Sequence, residues 1–192
     1  MPDIRTLIRL ANQQGHRPVD QSELLSKVRR LAEPLKGKAI NLRVSPVAIE
    51  FDVFCSPEIN PTLIKDAFQS VGEVITCKRL GLPPGPIDSQ AIVTESRQLF
   101  NEHRFWEVHE VLEDLWKVLK GSEKNLVQGL ILAAAALVHA QKDEESVTWP
   151  MLQDALKRLE DQPKEYYGWD VGKFRDHFAR VLKAKKLDFP TV

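Results

Sequence analysis

The chain has 192 residues, 43% hydrophobic and 28% charged, the balance of an ordinary globular protein long enough for one large domain or two small ones. Its 27 basic and 27 acidic residues cancel, so no global field steers it to nucleic acid or to an anionic membrane surface, and neither is expected as a partner. No apolar run approaches the ~20 residues of a membrane span, and "MPDIRTLIRLANQQG" lacks a signal peptide's apolar core and cleavage site, so a cytoplasmic protein is expected.

In chain order, Ile4 to Ala11 reads as a short helix, and "QSELLSKVRRLAEPL" as a longer one, with Leu24, Leu25, Val28 and Leu31 on one face and Pro34 as its stop. Lys27, Arg29, Arg30, Lys36 and Lys38 are spread over helix and turn without interleaved aromatics, which marks a solvated face rather than a nucleic-acid surface. Ile40, Leu42 and Val44 alternate with polar residues. Beyond Ser45-Pro46, Val47, Ile49, Phe51 and Val53 alternate with Ala48, Glu50 and Asp52, which predicts a hairpin of half-buried strands. "NPTLIKDAFQSVG" follows as a helix capped by Asn60, with Pro61 at its first position and Gly72 at its end, and "EVITCKRL" closes the unit as a third strand. The expected fold class is α+β: a small sandwich of about three strands and two helices over residues 1–80, then a Pro/Gly linker over 81–88, then an all-α domain of about five antiparallel helices over 89–192.

Cys55 and Cys77 fall in separate strands rather than in a CxxC, so buried free thiols are expected. The first domain shows no Gly-rich phosphate loop, nucleophile elbow or paired carboxylates. No nucleotide cofactor follows, and a packing or partner-binding role is the expectation.

After the linker, Asp88 or Ser89 can cap a helix running to about Asn101. A second helix spans about Arg104 to Leu119, with Gly121 as its C-terminal stop, and "SEKNLVQGLILAAAALVHAQ" forms a third, rich in alanine and suited to close packing. A fourth covers about Val147 to Asp161 with Pro150 in its first turn, and a fifth about Val171 to Lys185 with Asp170 as N-cap. Exposed apolar helix faces are compatible with a homodimer, and an unidentified small molecule or protein is the expected partner.

The chemistry-bearing residues cluster in the second and third helices. At about 100° per residue, Phe105, Val108, Leu112, Leu115 and Leu119 form an apolar centre, and Trp106, His109, Glu113 and Trp116 share one margin of it. Glu110 lies further toward solvent, and Glu107 and Asp114 point away. Gln128, Leu132, Ala135 and His139 form a matching stripe on the third helix. Antiparallel packing would bring Gln128 near Trp116 and His139 near the Phe105–His109 region. His109, Glu113 and His139 then make a three-ligand set for Zn²⁺, Fe²⁺ or Mn²⁺ with a position open for water, and Glu110 and Glu113 are the candidate acid–base groups beside a pocket of Trp106, Trp116 and Gln128. The alternative is structural: His109 satisfies Glu113 or Gln128 within a polar network of the helical core. His103 and His177 have no ligand spacing nearby and are expected at helix ends or on the surface. "YYGWD", Tyr166 to Asp170, is expected to pack, with a lid as the lesser reading.

The residues "LFNEHRFWEVHEVLEDLW" followed by "VQGLILAAAALVHAQ" resemble the DUF309 family of small helical proteins of unknown function. The pattern is carried by Phe100, Asn101, Trp106, His109, Glu110, Leu112, Glu113, Trp116, Gln128, Gly129, Leu130, Ile131 and His139, and the likeness covers about Ala91 to Leu182. The chain departs from it with His103 in place of a frequent Gly and Val108 in place of Ala. The resemblance implies a helical domain carrying the label of a predicted metal-dependent hydrolase. Residues 1–80 lie outside it.

Overall fold

In the computed structural model, which describes residues 3–80 and 88–189, Ile4–Ala11 is a β-strand (β1) and not the expected short helix. The helical spacing of its apolar residues arises because both faces of the strand are buried: Leu7 lies on one side, Ile8 and Leu10 on the other, each at most 1% exposed. An interior strand of this kind loses the alternation that would mark it.

The chain divides into two compact units, Met1–Pro83 with Gln141–Asp143, and Pro84–Ala140 with Glu144–Val192. In the first, α1 (Gln21–Ala32) runs into a 3-10 turn at Glu33–Leu35, where Pro34 ends the α-helix as expected. The hairpin β2 (Lys38–Val44) and β3 (Ala48–Cys55) also forms as read, followed by α2 (Pro61–Phe68) and β4 (Val74–Arg79). Adding β1 makes four strands instead of three, in the order β2-β3-β1-β4 with every pair antiparallel. The succession β-α-β-β-α-β with this order is the split βαβ, ferredoxin-like arrangement. Leu24 and Val28 of α1 and Ile64 and Phe68 of α2 pack with Ile8, Leu10, Ile49, Phe51 and Val53 on one face of the sheet. The rings of Phe51 and Phe68 meet edge-on at 4.9 Å.

Asn60 caps α2 by accepting the Thr62 backbone N–H at 2.9 Å. That helix ends at Phe68, ahead of Gly72. Gly72 answers a different need, since a Cβ there would lie 2.6 Å from the Ala11 carbonyl oxygen. The opposite face of the sheet departs from its expected half-exposed character. Glu50 and Asp52 are 3% and 0% exposed and Arg43 1%. Asp52 accepts from Arg5 at 3.1 Å and from Asn41 at 2.9 Å, Glu50 pairs with Arg9, and Arg43 lies 3.6 Å from Glu50. Buried carboxylates persist in a protein only when paired in this way.

The second unit has five helices: α3 (Ser89–Asn101), α4 (Phe105–Val118), α5 (Gly121–Gln141), α6 (Glu145–Leu159) and α7 (Val171–Ala184). Asp88 caps α3 through the N–H groups of Gln90 and Ala91, and Asp170 caps α7 through Lys173. The Lys173 N–H, with the Lys173 ammonium, holds the Asp170 carboxyl below its ordinary range. Gly121 opens α5 with φ +61°, where a stop for α4 was expected, because α4 already leaves helical geometry at Leu119. Since α6 begins at Glu145, Pro150 lies inside it and not in its first turn. Its site is exposed, so the Ser146 carbonyl left without a helical donor can be served by solvent.

Between α6 and α7 the "YYGWD" stretch forms a small hairpin, β5 (Glu165–Tyr166) and β6 (Trp169–Asp170). Tyr167 and Gly168 at its tip both have positive φ, 45° and 79°, the requirement of a type I′ turn. Trp169 is fully buried beside Phe100 and Phe174, which makes the hairpin a packing element. The linker read at 81–88 falls outside the described residues except for Asp88. No helix among the described residues is long and apolar enough to cross a membrane.

Candidate functional site

The helical pattern of α4 gives most of the faces expected of it, except at Leu119, which lies past the helix end and is half-buried, and at Glu107. Phe105, Val108, Leu112 and Leu115 are fully buried, and Trp106, His109, Glu113 and Trp116 lie half-buried along the margin. The His109 imidazole stacks on the Trp106 ring, centroids 5.7 Å apart and planes 13° from parallel. One turn on, His109 Nε2 lies 3.7 Å from Glu113 Oε1, an ion-pair separation longer than the ~3.2 Å limit of a good hydrogen bond. The other ring nitrogen, Nδ1, is buried and has no hydrogen-bond partner among the described residues, and the same holds for Trp116 Nε1. Lys124 of α5 sits over the Trp116 ring at 4.0 Å, a cation–π contact that places the first turn of α5 beside the last of α4. Gln128, one turn further along α5, is half-buried.

His139 lies at the far end of α5, and its Nδ1 meets Glu144 Oε2, just before the first turn of α6. The two histidines are therefore distributed over two pairs, His109 with Glu113 and His139 with Glu144. No group of three or more His, Cys, Asp or Glu among the described residues stands where it could hold a metal ion, so the set His109, Glu113 and His139 is not assembled as a three-ligand centre. Glu144 escaped the sequence reading because it lies five residues beyond His139, across a helix end, where helical periodicity no longer predicts neighbours.

Other residues also took unexpected places. Glu107, which the helical wheel turned away from the core, is 6% exposed and receives a two-pronged hydrogen bond from Arg104, 2.8 Å to each oxygen. The clue was its i,i+3 spacing from an arginine at the helix start. Glu110 is half-buried on the same helix. His103 is at a helix end as expected but 8% exposed, stacked on Phe105. Its φ of 59° is left-handed, a conformation that glycine adopts without the cost a side chain incurs. His177 lies 2.9 Å from Asp188.

Comparison with known proteins meets the same region. Residues 93–149 match the model of DUF309, a domain of unknown function, narrower than the stretch read from sequence but including His109, Glu110, Glu113, Gln128 and His139. An uncharacterized protein of Aquifex aeolicus (strain VF5) is 28% identical over 100 residues, or 52% of this chain. The matched stretch spans 30% of that relative's length.

Proposed function

With residues 93–149 matched to a domain of unknown function, we propose that the helical unit is a non-catalytic interaction module in which His109 and His139 fasten the helices. One observation carries this reading: each imidazole stands beside a carboxylate of its own, near in sequence, His139 in hydrogen-bond contact with Glu144 and His109 at 3.7 Å from Glu113. His139 joins the end of α5 to Glu144 at the threshold of α6. His109 covers the Trp106 ring and offers Glu113 a partner at the edge of the core. Placed in this way, the imidazoles contribute to packing, His109 through its stack on Trp106 and His139 also through its hydrogen bond to Glu144.

The expected outcome of His109→Ala is a loss of about 1–2 kcal/mol, read as a melting temperature ~2–8 °C lower. A residue held for chemistry tends to leave stability unchanged or improved when removed, and that result would count against the module.

A hydrolytic reading retains one favourable observation. His109 and Glu113 are half-exposed and face each other at 3.7 Å, near enough for a carboxylate to come into hydrogen-bond range of the imidazole on ligand binding. Under it, Glu110 and Glu113 remain the acid–base candidates, and the fit to a divalent metal would depend on donors beyond the two pairs. Metal analysis of tag-free protein decides: stoichiometric Zn²⁺, Mn²⁺ or Fe²⁺ that disappears in both His109→Ala and His139→Ala would favour the hydrolase.

A further inference from the structure

We propose that the hollow between the end of α7 and the chain that folds back after it is a binding site for a small phosphate-type dianion, held by Arg180 and Lys186. The hollow has a volume of 260 Å³ and is lined by His177, Arg180, Val181, Ala184, Lys186 and Asp188. That is just below the ~300–1,000 Å³ of sites for drug-sized ligands, and so suits a single compact group.

Its outer wall is anchored at two residues. Lys185 adopts left-handed geometry, φ 52°, and reverses the chain after α7. Beyond it Leu187 and Phe189 pack on the helical core, with the Phe189 ring 5.8 Å from Phe105 and 5.4 Å from His103. In an extended segment alternate residues face opposite ways, so anchoring 187 and 189 leaves Lys186 and Asp188 to line the hollow.

Its charge is unspent. Neither Arg180 nor Lys186 has an ion-pair or hydrogen-bond partner among the described residues. Cations in a last helical turn offset the helix dipole, which accounts for Lys183 but not for Lys186 beyond the reversal. The hollow also already holds an anion of the chain's own, because Asp188 Oδ1 lies 2.9 Å from His177 Nε2 with the Asp188 side chain 67% exposed. The carboxylate is the exposed member of the pair, the His177 side chain being 20% exposed, so it is Asp188 that can give way to an incoming anion. A dianion entering the hollow takes the Asp188 position on His177 and adds the Arg180 fork and the Lys186 ammonium, which one carboxylate cannot satisfy together.

The test is titration of the tag-free full chain with inorganic phosphate at constant ionic strength, following the His177 imidazole by NMR. Saturable binding is expected, weakened about tenfold or more in Arg180→Ala and Lys186→Ala and tightened in Asp188→Asn, which removes the competing carboxylate. Glycerol phosphate and vesicles containing phosphatidic acid form parallel arms. Arg180-dependent binding of vesicles in preference to the soluble esters assigns the phosphate to a lipid headgroup, and the reverse assigns it to a free metabolite. The proposal is overturned if chloride at matched ionic strength moves His177 equally, or if Arg180→Ala titrates like the unaltered chain.

Discussion

Tyr166 donates its phenolic hydrogen to Glu123 Oε1 at 2.7 Å, joining the small hairpin to the first turn of α5. Burial, and then this bond to a carboxylate, push the phenol well above its ordinary value. The contribution to stability is therefore complete below the ~10 of an unfolded tyrosine and declines as pH rises from there toward the folded value, because the unfolded chain loses its proton first. The chain has two tyrosines, so ultraviolet titration of Tyr167→Phe reads Tyr166 directly. Its ionisation is expected well above pH ~10, moving down in the additional variant Glu123→Gln. At the same scale, a double-mutant cycle between His139 and Glu144 is expected to show coupling of about 1 kcal/mol, whereas independent effects would detach the pair from the role assigned to it. Neither contact was legible from sequence. Each joins residues across an element boundary, and periodicity predicts neighbours only within an element.

Elements were legible in proportion to how one-sided their burial is. The α1, α3, α4 and α7 helices each bury a single stripe, and their spans were read to within a few residues. By contrast, β1 buries both faces and mimicked a helix. The polar residues of β3 were assigned to solvent because alternation reveals which residues share a face, not whether that face is open. Asp52 on that strand has no exposure and accepts from two side chains, so Asp52→Ala strands buried donors and is expected to cost about 3–5 kcal/mol in chemical denaturation. A loss under ~1 kcal/mol would contradict the buried pairing. Gly129 makes a comparable demand between helices. A Cβ there would lie 2.7 Å from Leu159 Cγ and Cδ2, and Leu159 is itself fully buried. Gly129→Ala should therefore destabilise by about 1–2 kcal/mol, since overpacking outweighs the gain in helix propensity.

At the scale of the whole molecule, the pattern spanning α4 and α5 pointed to the right family model, because its residues are joined by a short turn and share one register. It could not say whether those residues meet, since that depends on how the helices are rotated against each other. We propose that residues 1–80 and 89–192 are separately folding domains, so limited proteolysis should release a fragment starting near residue 89 that keeps its helical circular dichroism. The central claim, that His109 and His139 are structural fastenings, is tested most directly by thermal unfolding of the tag-free full chain with and without Zn²⁺, beside His109→Ala. A lower melting temperature in the variant and no response to Zn²⁺ in either protein are expected. A rise with Zn²⁺ in the unaltered chain that vanishes in His109→Ala would contradict that claim.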